Sequence, residues 1–232
     1  MFSGPDQVGT TDGGFADELS RLKRRGASVL VVGSVHPDQW RDACRRLLGC
    51  GTDRTRRRVL VSTTAGPHHA IHHVDETGSE ALSVIAYDAQ ARNATTAEPG
   101  ETPSIRPATT EAESLADLGI AIEQAIENFE TNTAALESGE VRLGIDSLLP
   151  LLEEYGRQRV FKLLHLVNGR TKAVDGMAHY HLPVERDARI VQTLSPLFDI
   201  IVELREHDGD YQERWTIEDG DRRSGWLSVG PE

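Results

Sequence analysis

Residues 27–33 read ASVLVVG, an apolar run of strand length without a charge, closed by Gly33. A run of this kind is buried on both faces, so helices must cover both sides of the sheet that holds it. Pro37 and Asp38 suit the first turn of a following helix. Trp40, Ala43, Cys44, Leu47 and Leu48 then recur at helical spacing up to Gly49 or Gly51. The same rhythm continues down the chain. RVLVST (58–63), LSVIAY (82–87), VRLGI (141–145), GMAHYHL (176–182) and FDIIVELR (198–205) read as strands. Helices are expected over 15–25, from Ser114 to Phe129, over 148–155 and 157–168 with Gly156 between, and over 188–197. Residues 211–217 and 226–229 read as an antiparallel hairpin across the turn EDGDRRSG. The expected fold is α/β: a mostly parallel sheet flanked by helices on both faces, with a C-terminal antiparallel hairpin.

Residues 1–14 are polar and Gly-rich and read as a flexible tail, with a single domain over 15–232. Residues 89–113, rich in Ala, Thr, Pro and Glu, read as a mobile loop inside that domain, because the α/β rhythm resumes after them. No run approaches the roughly 18 apolar residues of a membrane helix. The N-terminus has no apolar signal region, so a cytoplasmic location is expected. Net charge is −12, and the only lysines are Lys23, Lys162 and Lys172. An acidic surface with Arg in place of Lys fits a salt-rich cytoplasm, where self-repulsion is screened. It argues against nucleic acid as a partner, which needs a basic stripe. Two basic clusters, Arg21 with Lys23, Arg24 and Arg25, and Arg54 with Arg56, Arg57 and Arg58, read as solvated ends of elements. Cys44 and Cys50 read as half-buried thiols, and Trp40, Trp215 and Trp226 as packing residues.

The turn after the first strand, Gly33 to Trp40 (GSVHPDQW), lies in register with a Walker A loop, G-x-x-x-x-G-K-[S/T]. In such a loop glycines let backbone N–H groups cradle phosphate, Lys neutralises it and a hydroxyl holds Mg²⁺. Here Asp38 stands for the second Gly, Gln39 for the Lys and Trp40 for the hydroxyl residue. A carboxylate occupies the phosphate's position, and both the cation and the metal-holding hydroxyl are missing.

These segments, with ESLADLGIAIEQAIENF, VRLGIDSLLPLL, VFKLLHLVNGR and FDIIVELRE in the same order, give the chain a resemblance to the RecA/KaiC-like branch of P-loop ATPases over residues 15–217. It is most similar to a haloarchaeal group of uncharacterised members that lack an intact Walker A motif. The resemblance implies a RecA-like sheet. It makes Asp146 the Walker-B-like acid, which in active relatives orders Mg²⁺. The same residue also reads as a helix N-cap with Ser147, the preferred reading here. Where active relatives carry an acidic general base, this sequence has Thr63, Thr64 and Ala65. With lysine, hydroxyl and base all absent, the resemblance implies a pseudo-ATPase without catalytic residues or cofactor. It would act in regulation or as a scaffold, through a protein partner such as an active RecA/KaiC-like paralogue, or as a homodimer. The alternatives are a nucleotide-binding protein or slow ATPase using Asp146, and an accessory factor to a DNA recombinase.

Two groups of histidines remain. PHHAIHHVDE brings His68, His69, His72 and His73 together. On a helix, His68/His72 or His69/His73 would make a Zn²⁺ pair; in a surface turn they would be solvated. His179 and His181 alternate along their strand and share one face. They read as a half-buried pair at a sheet edge.

Overall fold

The computed structural model describes residues 12–50, 52, 54–64, 82–87, 109–217 and 222–230. Among them five α-helices flank one mixed sheet. The helices are α1 (Asp12–Arg24), α2 (Pro37–Leu47), α3 (Leu115–Thr131), α4 (Leu149–Ala173) and α5 (Arg189–Leu194), the last followed by a 3-10 turn at Ser195–Leu197. The strands are β1 (Ala27–Val32), β2 (Arg57–Ser62), β3 (Leu82–Tyr87), β4 (Thr109–Ala112), β5 (Val141–Ile145), β6 (Met177–Leu182), β7 (Ile200–His207), β8 (Asp210–Ile217), β9 (Arg222–Arg223) and β10 (Leu227–Ser228). Their spatial order is β10-β8-β7-β1-β6-β5-β2-β3-β4, with β9 on β8. From β7 to β4 all pairs are parallel; β8, β9 and β10 add antiparallel strands.

All six residues of β1 are buried, and they divide by parity. Leu30 and Val32 join the core under α3, α4 and α5, where Leu118, Ile122, Ile126, Leu151, Leu164 and Leu194 pack. Val29 and Val31 face the other way, into a smaller core with Leu22 of α1 and Ala43 and Leu47 of α2. Neither side of β1 meets water, which is why the run carries no polar alternation. Asn168 and Tyr180 are the polar pair of the larger core: the Tyr180 hydroxyl donates to Asn168 Oδ1 at 2.7 Å. No helix of the described residues is long and apolar enough to cross a membrane.

Several boundaries differ from expectation. The first helix begins at Asp12, inside the stretch read as a tail. Thr109–Ala112, assigned to the mobile loop, is instead edge strand β4, paired in parallel with Val84–Tyr87; the rest of that stretch, 89–108, lies outside the described residues. Ser114 caps α3, accepting from Asp117 N at 3.1 Å. Gly156, at φ 72°, breaks α4 into two helical pieces, as the sequence places it. β7 turns directly into β8 at Asp208–Gly209, both with positive φ (53° and 82°). That is the two-residue turn whose twist matches antiparallel strands.

One polar clamp ties the starts of β1 and β7 to the end of α4. Asp199 Oδ2 accepts from Ser28 N at 2.7 Å, and Lys172 Nζ reaches Asp199 Oδ1 at 2.9 Å. Burial works to raise this carboxyl, but Lys172 and the two Ser28 donors outweigh it and hold it below the usual carboxylate range. The clamp's contribution is therefore complete above the unfolded pKa of about 3.9 and fades as pH falls through the lower folded value. Asp199→Asn should cost about 1–3 kcal/mol at neutral pH. Denaturant titrations should show that cost shrinking at the acid end, below the wild-type carboxyl's own titration.

Candidate functional site

The carboxyl ends of β1, β2, β5 and β6 converge near the position where the parallel strands part in opposite directions from β1, the place at which open α/β sheets bind ligands. Each of the residues singled out around Gly33–Trp40 lies here, and each is engaged. Gly33 has φ 134° and donates its N–H to Val184 O at 2.9 Å. A Cβ at this position would overlap the carbonyl oxygen of Leu204 in β7. The glycine is required by the approach of the neighbouring strand, whatever lies in the turn.

α2 starts four residues on, with His36 as N-cap accepting from Asp38 N at 3.4 Å. Asp38 is half exposed and pairs with Arg41. Gln39 is 1% exposed and turns toward the antiparallel end of the sheet. Its Nε2 donates to Arg205 O at 3.2 Å and Gln212 O at 3.1 Å, the facing residues of the β7–β8 ladder. Trp40 packs against the smaller core, beside Val35, with its ring centroid 4.8 Å from that of His181.

Asp146 leaves β5 at its carboxyl end, but it does not cap a helix, contrary to the preferred sequence reading. The residue before α4 is Leu148, and the Leu149 N–H is taken by Ser147 Oγ at 3.2 Å. The Asp146 carboxylate instead gathers the end of β2. Oδ1 accepts from Thr63 N at 2.8 Å and lies 2.7 Å from Thr63 Oγ1; Oδ2 accepts from Ser62 Oγ at 3.1 Å and Thr64 Oγ1 at 2.9 Å. Thr63 Oγ1 is also 2.7 Å from Ser147 O, so its one proton serves either acceptor. Two carboxylate oxygens offer about four lone-pair sites. Here those sites face donors of the protein, not the turn. Thr63 and Thr64, at the end of β2, are partners of this carboxylate.

The second finding at this end of the sheet was not legible as a motif. His179 and His181 are 0% and 2% exposed, on a strand flanked by β1 and β5. They are core residues, not a half-buried edge pair. With Met177 they face α2, and Cys44 of that helix meets them: its Sγ is 3.4 Å from His179 Nε2. One potential ligand atom from each of Cys44, His179 and His181 lies within 4.8 Å of the other two. Burial pushes the Cys44 thiol up, with the Asp146 charge adding to it. Burial, with Arg142 adding, pulls the His179 imidazole down to about 3. Both groups are therefore neutral at physiological pH. The cluster His68, His69, His72 and His73 lies outside the described residues.

Of the basic run at 54–58, Arg54 is exposed as expected, but Arg56, Arg57 and Arg58 are half-buried and bonded rather than solvated. Arg56 Nη1 donates to Gly139 O at 2.6 Å, Arg57 Nε to Glu140 Oε1 at 2.7 Å, and Arg58 to the carbonyls of Leu48 and Gly49 at 3.1 Å. The last pair covers the negative end of α2. Arg205 and Arg214 lie over the Trp226 ring at 3.8 and 4.3 Å from its centroid, so this tryptophan holds β10 to the sheet.

Away from the strand ends, α3 and α4 leave a groove of about 780 Å³ lined in part by Leu115, Ile120, Leu163 and Leu166, with Arg159 and Lys162 at its rim. Ile120 and Leu166 are 55% and 69% exposed. Residues 26–204 match the model of a family described as a family of unknown function (DUF7504). No curated protein matches the chain.

Proposed function

The chain belongs to DUF7504, and we propose that it is a non-catalytic RecA/KaiC-like pseudo-ATPase that acts as a regulatory or scaffolding protein through protein–protein contacts. The observation that carries this reading is the Gln39 side chain. Where a phosphate-binding lysine would face the turn, a buried amide is bonded to two carbonyls of β7 and β8. Trp40 beside it packs against the smaller core, and Asp38 puts a carboxylate at the helix start, where anionic ligands would otherwise be drawn. Asp146 has its oxygens occupied by Ser62, Thr63 and Thr64, which disfavours the slow-ATPase alternative. Of the arginines that would serve a recombinase accessory factor, Arg56, Arg57 and Arg58 are bonded to carbonyls or to Glu140, and the net charge of −12 opposes DNA.

The partner side of the reading rests on the α3/α4 groove. An apolar patch with a polar rim is how soluble proteins mark a contact site. Ile120 and Leu166 supply the apolar anchors, and Arg159 and Lys162 suit an amphipathic helix with acidic flanks.

Calorimetric titration with ATP and Mg²⁺ in concentrated KCl is expected to give no binding at millimolar nucleotide. In the same buffer, a bait carrying Ile120→Glu and Leu166→Glu should release the proteins that the wild-type bait retains. Saturable nucleotide binding that disappears in Asp146→Ala would replace this reading with the nucleotide-binding one.

A further inference from the structure

We propose that Cys44, His179 and His181 form a binding site for one thiophilic d10 cation, Zn²⁺ or Cu⁺, buried between α2 and β6. The ligand types are those such ions select: one thiolate and two imidazoles. The Cys44–His179 spacing fits as well. Sulfur at about 2.3 Å and nitrogen at about 2.05 Å from one tetrahedral ion stand about 3.5 Å apart; Cys44 Sγ and His179 Nε2 are 3.4 Å apart. A thiol–imidazole hydrogen bond has a similar length, but it accounts for two groups only. Alternation along β6 adds His181 on the same face, so that all three ligand atoms lie within 4.8 Å, and one ion would draw the widest pair together by about 1 Å.

The surroundings are shaped for the rings. Gly144 of β5 lies opposite His179, where a Cβ would come within 2.6 Å of Cε1. Any side chain there would displace the imidazole. Trp40 closes the cluster on the His181 side, at 4.8 Å between centroids.

Charge and protons balance without a further reactant. Binding takes the Cys44 proton to solvent, so one proton leaves per ion bound. Cu⁺ with one thiolate and two neutral imidazoles is uncharged, which suits a dry site. Zn²⁺ leaves one positive charge, and the nearby Asp146 carboxylate, already felt by Cys44, opposes it. In both cases the ion pins the helix after the degenerate turn to the middle of the sheet.

The test uses the full chain, freed of metal by chelation and kept reduced. Zn²⁺ and, anaerobically, Cu⁺ are titrated separately against a chromophoric competitor, and Co²⁺ serves as a spectroscopic probe. One equivalent of Zn²⁺ or Cu⁺ should bind with release of one proton, and the arm that wins identifies the ion. Co²⁺ should give a thiolate-to-metal charge-transfer band that survives Cys50→Ser and is lost in Cys44→Ser, with affinity falling at least ~100-fold. Only two cysteines exist, so a band retained in Cys50→Ser comes from Cys44 even if Cys44→Ser fails to fold. Absence of stoichiometric binding of either ion overturns the proposal. So does an equivalent that persists in Cys44→Ser, which would point to the 68–73 histidines, or a band lost in Cys50→Ser.

Discussion

Gly33→Ala is expected to cost more than about 4 kcal/mol or to leave the chain unfolded. Two penalties coincide at this position. The backbone holds φ at 134°, where a side chain is strained, and the added methyl would overlap the Leu204 carbonyl of β7. Leu204 lies in the strand that pairs directly with β1 and carries β8 beyond it, so relief would mean moving the antiparallel end of the sheet. A first glycine kept only for phosphate would behave otherwise, because Ala in an unused turn should fold normally. Far-UV circular dichroism and a denaturant midpoint separate the two outcomes. A well-folded Gly33→Ala protein within about 1 kcal/mol of wild type would contradict the close-approach role.

Asp146→Ala should lose about 3 kcal/mol, and Asp146→Asn about 1 kcal/mol, both read from chemical denaturation. The alanine variant leaves the Thr63 N–H without its acceptor and frees the hydroxyls of Ser62 and Thr64, at the usual cost of about 1–3 kcal/mol for hydrogen bonds to a charged group, lowered by water reaching this partly exposed residue. Asparagine keeps one carbonyl oxygen for Thr63 N, while the hydroxyls can turn to meet its amide. An acid reserved for Mg²⁺ would show the reverse pattern: little loss of stability on truncation, with an effect confined to nucleotide binding.

The backbone plan was readable because apolar period and breakers act locally. β1, α2, β3, the Ser114 cap and the Gly156 break follow from residues within a few positions of each other. β4 was not readable, since Thr109–Ala112 is short, exposed over most of its length and held only by pairing with β3. The Asp208–Gly209 hairpin carried a usable signal, an Asp-Gly pair between apolar strands, which was passed over in favour of the later Asp/Gly-rich stretch.

The site was legible as a departure from a pattern and illegible as an arrangement. That position 39 is a glutamine is plain from the residues; that its side chain bonds to positions 205 and 212 depends on how β7 and β8 pack beside α2. Asp146 looked like a helix cap because a helix follows it in sequence. Its donors come from residues 62–64, more than 80 positions earlier, delivered by the parallel pairing of β2 with β5. Alternation put His179 and His181 on one face, but not in the middle of the sheet. Cys44 is 135 residues away from His179, and no spacing rule covers such a distance.

The Gln39 bonds have a consequence for timing. In nucleotide-driven domains, switch segments are ordered by the terminal phosphate and released on its hydrolysis, and that exchange is the clock. Here the start of α2 is tied to the carbonyls of two strands and has one resting place. On the proposed reading, such a protein keeps no cycle of its own: how much of it is present, and what state its partner is in, become the variables it can transmit.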